Sequence, residues 1–128
     1  MGYPFPVYEK VLLAGGEWRP RALVLAQLVE EGYDVTAVET WDEAELLLRK
    51  RAVKPAVVVF DLEGEPQPEA ALSTLARLAD PARVLVLSAS GTLSTDAVRA
   101  RGFAHVLARP YSVGDVVIAT TSIERGAA

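Results

Sequence analysis

The chain contains no cysteine and a single histidine, His105. The first absence excludes disulfides, thiolate nucleophiles and zinc-thiolate sites. The second leaves any His-based metal site or His-centred catalysis resting on His105 alone, and His105 falls in a strand, where packing is its expected role. An excess of basic residues is also missing: 13 Lys and Arg against 17 Asp and Glu give a formal net charge of −4. A protein that grips nucleic acid directly normally carries a basic face, so no direct nucleic-acid partner is expected. The apolar runs, such as AVVVF at 56–60 and VLVL at 84–87, are strand-length and far short of the roughly 20 residues a membrane helix needs. The opening MGYPFPVYEK has no basic region followed by an apolar stretch, so it does not read as a secretion signal. These absences predict a soluble cytoplasmic protein with no membrane attachment.

What is present is a globular balance, 51% hydrophobic and 23% charged over 128 residues, enough for one domain with a real core. The expected organisation is an N-terminal arm at 1–6, a domain at 7–124 and a tail at 125–128. Glu9–Ala14 reads as a strand buried on both faces, closed by Gly15 and Gly16. A helix follows from Trp18 to Glu31, with Pro20 in its first turn and Gly32 as its stop. Tyr33–Glu39 alternates in the manner of a strand near a sheet edge. Thr40 and Glu43 form a capping-box pattern ahead of a helix over Trp41–Arg51. AVVVFD ends a third strand at Asp61, and a loop rich in Pro, Gly and Glu leads to a helix over Ala70–Leu78. Arg83–Leu87 is a fourth buried strand running into Ser88-Ala89-Ser90-Gly91. Ser94 caps a short helix. FAHVLA is the fifth strand, and Ser112–Glu124 the last helix.

Five strands alternating with five helices, the strands apolar on both faces, predict an α/β fold: a doubly wound parallel sheet covered on both sides. In such a sheet the loops at the carboxyl ends of the strands converge on one crevice. Here they supply Gly15, Gly16, Glu17, Asp61, Ser88 and Arg109. An acid after strand three, a hydroxyl after strand four and a cation before proline after strand five form an ordered set.

That set, in VVVFDLEG, VLVLSAS and LARPYS, together with EEGYDV and RGFAHVLARP, resembles the receiver domain of bacterial response regulators over about Val7 to Ile123. The resemblance implies a flavodoxin-like (CheY-like) sheet of order 2-1-3-4-5. It makes Asp61 the equivalent of the phosphoacceptor, Ser88 the switch hydroxyl and Arg109 the counterpart of the family's lysine. It also implies two-component signal transduction, with a sensor kinase or downstream regulator as protein partner and dimerisation through the last helix as an option.

The departures from that family are as informative. Its two metal-holding acids after strand one correspond to Gly15 and Gly16, so only Asp61 and Glu17 remain as weak candidate ligands for magnesium. Phosphoryl transfer depends on electrostatic stabilisation by metal and cation, so its loss removes most of the rate. Arg109 carries a planar fork suited to a bidentate grip on a carboxylate, and the expected partner is Asp61, as a structural lock. Val106 stands where the family has an aromatic switch residue. Leu62-Glu63-Gly64-Glu65-Pro66 replaces a Met-Pro turn and places carboxylates against an incoming phosphoryl group.

The expectation is therefore a stand-alone pseudo-receiver, not an enzyme and without a cofactor, that acts by protein–protein interaction. A phosphoacceptor still working through Asp61 is the alternative. A further alternative is an anion- or nucleotide-binding turn at Gly15-Gly16 assisted by Arg19 and Arg21. Ser88 is equally consistent with an ordinary loop hydroxyl bonded to backbone. Trp18 and Trp41 are expected as packing caps at helix starts. In the last helix Val113, Val116, Val117 and Thr120 are expected to face the sheet, leaving Ile118 and Thr121 for a second surface.

Overall fold

A computed structural model describes residues 8–89 and 91–126. The arm expected at 1–6, the domain start at Val7, Ser90 and the last two residues of the expected tail lie outside them. The chain alternates β1 (Lys10–Gly15), α1 (Trp18–Glu30), β2 (Asp34–Val38), α2 (Trp41–Arg49), β3 (Val57–Asp61) and α3 (Pro68–Leu78). It continues through a 3-10 turn at Pro81–Arg83 to β4 (Val84–Ser88), α4 (Thr95–Ala100), β5 (His105–Ala108) and α5 (Val113–Glu124). All pairings are parallel, as the strand pattern predicts, and the order is β2-β1-β3-β4-β5, as the resemblance implies.

The two-residue period of a strand divides the core into two layers. Val11, Leu13, Val57, Val59, Leu85 and Leu87 point toward α1 and α5, where Val24, Leu28, Val116 and Ile123 meet them. Leu12, Val58, Phe60 and Val86 point the other way, onto Leu48, Leu72, Leu75 and Val98 of α2, α3 and α4. All five residues of β3 and of β4 are buried, whereas β2, on the edge, is half-exposed along its length.

Local chemistry sets the helix ends. The Thr40 hydroxyl accepts from the Glu43 N–H at 3.3 Å and donates to the Glu43 carboxylate, which closes the start of α2. Ser112 and Asp115 form a full capping box on α5. α2 ends two residues before the expected boundary, and Arg51 turns the chain with φ 53°. α3 begins two residues early because Pro68, which has no N–H to leave unsatisfied, serves as its first residue.

The α5 expectation holds for Val116, Val117 and Thr120, which are buried, and for Ile118, which is 70% exposed. Thr121 is instead engaged within the domain: it accepts a 3.1 Å hydrogen bond from the Tyr33 hydroxyl. Of the two tryptophans, Trp41 is a packing cap, buried with its ring 5.3 Å from Phe60. Trp18 is not, being 68% exposed: its neighbours on the first turn of α1 turn to solvent with it, and the Arg19 guanidinium, 5.5 Å from the ring centre, lies over the ring without burying it. No helix among the described residues is long and apolar enough to cross a membrane.

Candidate functional site

Asp61 ends β3 in the middle of the sheet, in register with Gly15 on one side and Leu87 on the other. Only 6% of it is exposed. Its Oδ1 accepts a 2.9 Å hydrogen bond from the Glu63 N–H, an Asx-type turn that starts the β3–α3 loop. Oδ2 has no hydrogen-bond partner among the described residues. Because no side-chain oxygen there is both fully buried and unbonded, Oδ2 is the edge through which the carboxylate reaches solvent. Burial raises the Asp61 carboxyl above its ordinary range, and the adjacent Glu63 charge adds to the rise. The Glu63 N–H and the Arg109 and Arg21 charges oppose it without cancelling it.

Gly15 and Gly16 wrap around this carboxylate. Both have positive φ, 81° and 76°, a region that favours glycine. A Cβ on Gly16 would lie 2.5 Å from Asp61 Oδ2, and one on Gly15 would lie 2.5 Å from the Asp61 carbonyl oxygen. The turn thus has no room for a side chain at either position. Its carbonyl oxygens face the half-buried Arg21, whose guanidinium donates to Gly16 O at 2.7 Å and to Gly15 O at 3.2 Å. Arg21 is therefore engaged by the turn itself. Assistance to a bound anion, the role weighed for it with the glycine turn, requires those bonds to be released.

Arg109 does not grip Asp61, contrary to expectation. Its guanidinium lies 3.9 Å from Glu63 Oε2 and packs 5.8 Å from the centre of the Tyr111 ring. The reason is solvation. A bidentate pair with Asp61 would bring a second charge out of water, while the rim leaves Arg109 nearly half exposed and Asp61 supplied by a backbone donor. The lock between these two residues is withdrawn, and Arg109 acts on Asp61 only through space. Ser88 follows the loop-hydroxyl reading: 7% exposed, it donates to the Leu93 carbonyl at 2.9 Å. Val106 is half-buried and packs on the α2–α4 side of the sheet.

Three contacts escaped the sequence reading. The Arg21 contact to carbonyls needs the turn's geometry to be known. Glu63 as the Arg109 partner, and Tyr111 as the aromatic beneath it, both stand two residues from a residue already singled out, which was the available signal. Tyr111 is half-buried, and burial together with the Asp61 charge raises its phenol above the ordinary value.

The magnesium that the resemblance implies does not fit these residues. That ion takes near-octahedral oxygen ligation anchored by one or two carboxylates. Gly15 and Gly16 offer only carbonyl oxygens already bonded to Arg21, and Glu17 is exposed at the start of α1. Among the described residues no group of three or more His, Cys, Asp or Glu side chains is placed to hold a metal ion.

No protein-family model matches the chain, and no curated protein does. Solved structures do. The receiver domain of a Francisella response regulator superposes with a TM-score of 0.77 at 22% identity, covering 94% of this chain and 99% of that one. A response regulator receiver protein from Sinorhizobium medicae gives 0.74 at 22% identity, over 92% and 95%. The receiver domain of a sensor histidine kinase from Pseudomonas aeruginosa, solved with magnesium coordinated in its active-site cleft, gives 0.71 at 17% identity, over 91% and 98%. With its strand order, its alternating helices and Asp61 at the carboxyl end of the central strand, this chain has the fold of response-regulator receiver domains.

Proposed function

We propose that the protein is a receiver-like module of two-component-type signal transduction that works by protein–protein interaction, its phosphorylation chemistry degenerate. One observation carries the reading: the Gly15-Gly16 turn closes on Asp61 so tightly that neither position accepts a side chain. The carboxylates that would anchor a divalent cation beside the acceptor are therefore absent from a backbone shaped to exclude them. Two features of the surroundings point the same way. Glu63 faces an approaching phosphoryl group with like charge, and Arg109 is turned toward Glu63 and Tyr111. The partner is a sensor kinase or a downstream regulator in the cytoplasm, and the exposed Ile118 supports α5 as the contact helix, for that partner or for a second copy.

The test is intact mass after incubation with magnesium and a small phosphodonor, beside Asp61→Asn. An unchanged mass, with no magnesium-dependent change in tryptophan fluorescence, is expected. A phosphoryl adduct on the wild type that Asp61→Asn lacks would establish the second reading, a working phosphoacceptor. The observation in favour of that reading is the solvent-reaching Oδ2 of Asp61 at the end of the central strand.

A further inference from the structure

The helical repeat divides α1 into two faces. Val24 and Leu28 lie on the face buried against the sheet. Arg19, Ala22, Leu23, Ala26, Val29 and Glu30 share the opposite face, and all six are exposed. The solvent face of a surface helix normally carries polar residues. Here its middle is apolar: Leu23 and Val29 are each 54% exposed, and the exposed Trp18 ring stands at its start. The charges at its ends are also reversed. The helix dipole favours acids at the start and bases at the end, whereas α1 has Arg19 in its first turn and Glu30 as its last residue, with no acid in the first turn and no base in the last. Neither charge is claimed within the domain. Among the described residues Glu30 has no ion pair or side-chain hydrogen bond, and the Arg19 guanidinium lies against the Trp18 ring without a carboxylate partner.

We infer that this face binds a second copy of the chain, the two α1 helices running antiparallel about a two-fold axis. A two-fold interface is self-complementary, so one patch must carry both halves of every contact. The α1 face does so. Arg19 and Glu30 stand about three turns apart on the same side of the helix. Antiparallel alignment therefore sets Arg19 of each copy against Glu30 of the other and forms two equivalent ion pairs at the ends. It also corrects the electrostatics, because each cation then lies beside the C-terminus of the other α1 and each anion beside its N-terminus. The same register sets Leu23 opposite Ala26 on both sides of the axis, a large side chain over a small one, which lets the helices approach closely. A partner of one sign would instead meet like charge at one end of the face. One helix face is small beside the roughly 1,200–2,000 Å² of a stable interface, so the dimer is of micromolar strength. The inference goes beyond the function proposed above and does not rest on it, and it leaves α5 to the signalling partner.

The experiment is sedimentation equilibrium of the full chain from about 5 to 500 µM at low ionic strength. A monomer–dimer equilibrium with a dissociation constant of about 10–100 µM is expected. Glu30→Arg brings like charges together at both ends and should raise that constant at least about tenfold, although it reduces the net negative charge of the protein. Arg19→Glu should weaken the dimer as much. Arg77→Glu, exposed on α3 across the sheet, changes the net charge identically and leaves the dimer as it was. The swap Arg19→Glu/Glu30→Arg restores opposite charges and should return the constant to within about threefold of wild type. A chain that stays monomeric throughout, a dimer indifferent to Glu30→Arg, an equal loss in Arg77→Glu, or a swap that fails to restore association overturns the inference. So does a dimer that Ile118→Glu dissociates and Glu30→Arg does not, which would put the second copy on α5.

Discussion

Substituting Gly16 with alanine separates two costs that this turn combines. The first is conformational: φ is 76°, and holding an L-residue in the left-handed region costs about 1–2 kcal/mol. The second is steric, since the new Cβ would stand 2.5 Å from Asp61 Oδ2 and 2.8 Å from its Cγ. Asp61 must then rotate and lose the charge-assisted bond from the Glu63 N–H, worth about 1.5–3 kcal/mol. The combined loss is about 2.5–5 kcal/mol, a large fraction of the 5–15 kcal/mol by which a domain is usually stable. Gly64 is the control, because its φ is 79° and nothing lies within 4 Å of the Cβ it would acquire, so Gly64→Ala carries the conformational cost alone.

The assay is urea unfolding followed by the fluorescence of Trp41, which is buried against Phe60 and reports loss of the core. A double-mutant cycle completes the argument. In an Asp61→Ala background the clashing carboxylate is gone, so the cost of Gly16→Ala should fall toward that of Gly64→Ala, a coupling of about 1.5–3 kcal/mol. If Gly16→Ala costs no more than Gly64→Ala, or costs the same with and without the Asp61 carboxylate, the close approach of the turn is not what requires glycine. The account of the degenerate site would fall with it.

Asp61 sets a pH dependence whose sign is fixed by its raised carboxyl. The folded state holds that proton more tightly than the unfolded state does, so stability is lost as pH rises from the ordinary value of 3.8 through the raised folded value. Asp61→Asn retains an acceptor for the Glu63 N–H and escapes that loss. Its stability relative to wild type should therefore increase across that window and stay level above it; a difference of opposite slope in urea midpoints refutes the assignment. Arg21→Met removes two hydrogen bonds from the Gly15 and Gly16 carbonyls and should lower the unfolding free energy by about 1–3 kcal/mol, read by the same denaturation. Arg83 donates to the carbonyl oxygens of Ile123 and Glu124 at the end of α5, so Arg83→Met should cost about 1–2 kcal/mol and speed amide exchange in the last turn of α5 before that of the sheet. Thr120 is fully buried with its hydroxyl bonded to the Val116 carbonyl of its own helix; that carbonyl can keep its helical bond, so Thr120→Val should change the thermal midpoint little.

The strands were legible because they are short runs of Val, Leu and Phe that no helix of this length would carry, separated by turn residues and helical spacings, while their order came from the resemblance. Parallel winding followed from burial on both faces, and the alternation in Tyr33–Glu39 marked β2 as the edge that its half-exposed residues now show. Helix ends were less legible. Where a side-chain cap defines the boundary, as at Thr40, Ser94 and Ser112, sequence and structure agree. Where the end depends on how far the chain must travel to the next strand, as at Arg49 to Arg51, local pattern carries no information about it. Trp18 shows the same limit: spacing placed it at a helix start, but whether anything covers the ring depends on packing between elements.

The candidate site divides along a similar line. Asp61, Ser88 and the glycines lie at the ends of sheet strands or in the turn directly after one, so parallel topology alone brought them together. Arg109 lies one residue beyond its strand, and there the prediction named the correct charge and the wrong partner. At that distance the backbone no longer dictates where a long side chain goes. The outcome is set by a contest between desolvation and Coulomb attraction that sequence spacing does not record. A buried Asp61 already bonded to a backbone N–H offers little to offset the dehydration of a guanidinium, whereas Glu63 and the Tyr111 ring lie at the rim where Arg109 keeps its water. The same contest explains Arg21, which satisfies two backbone carbonyls at the floor of the turn while contributing positive potential to Asp61. Short side chains at a strand end can thus be assigned from topology, and long ones just past it only from the balance of charge and water around them.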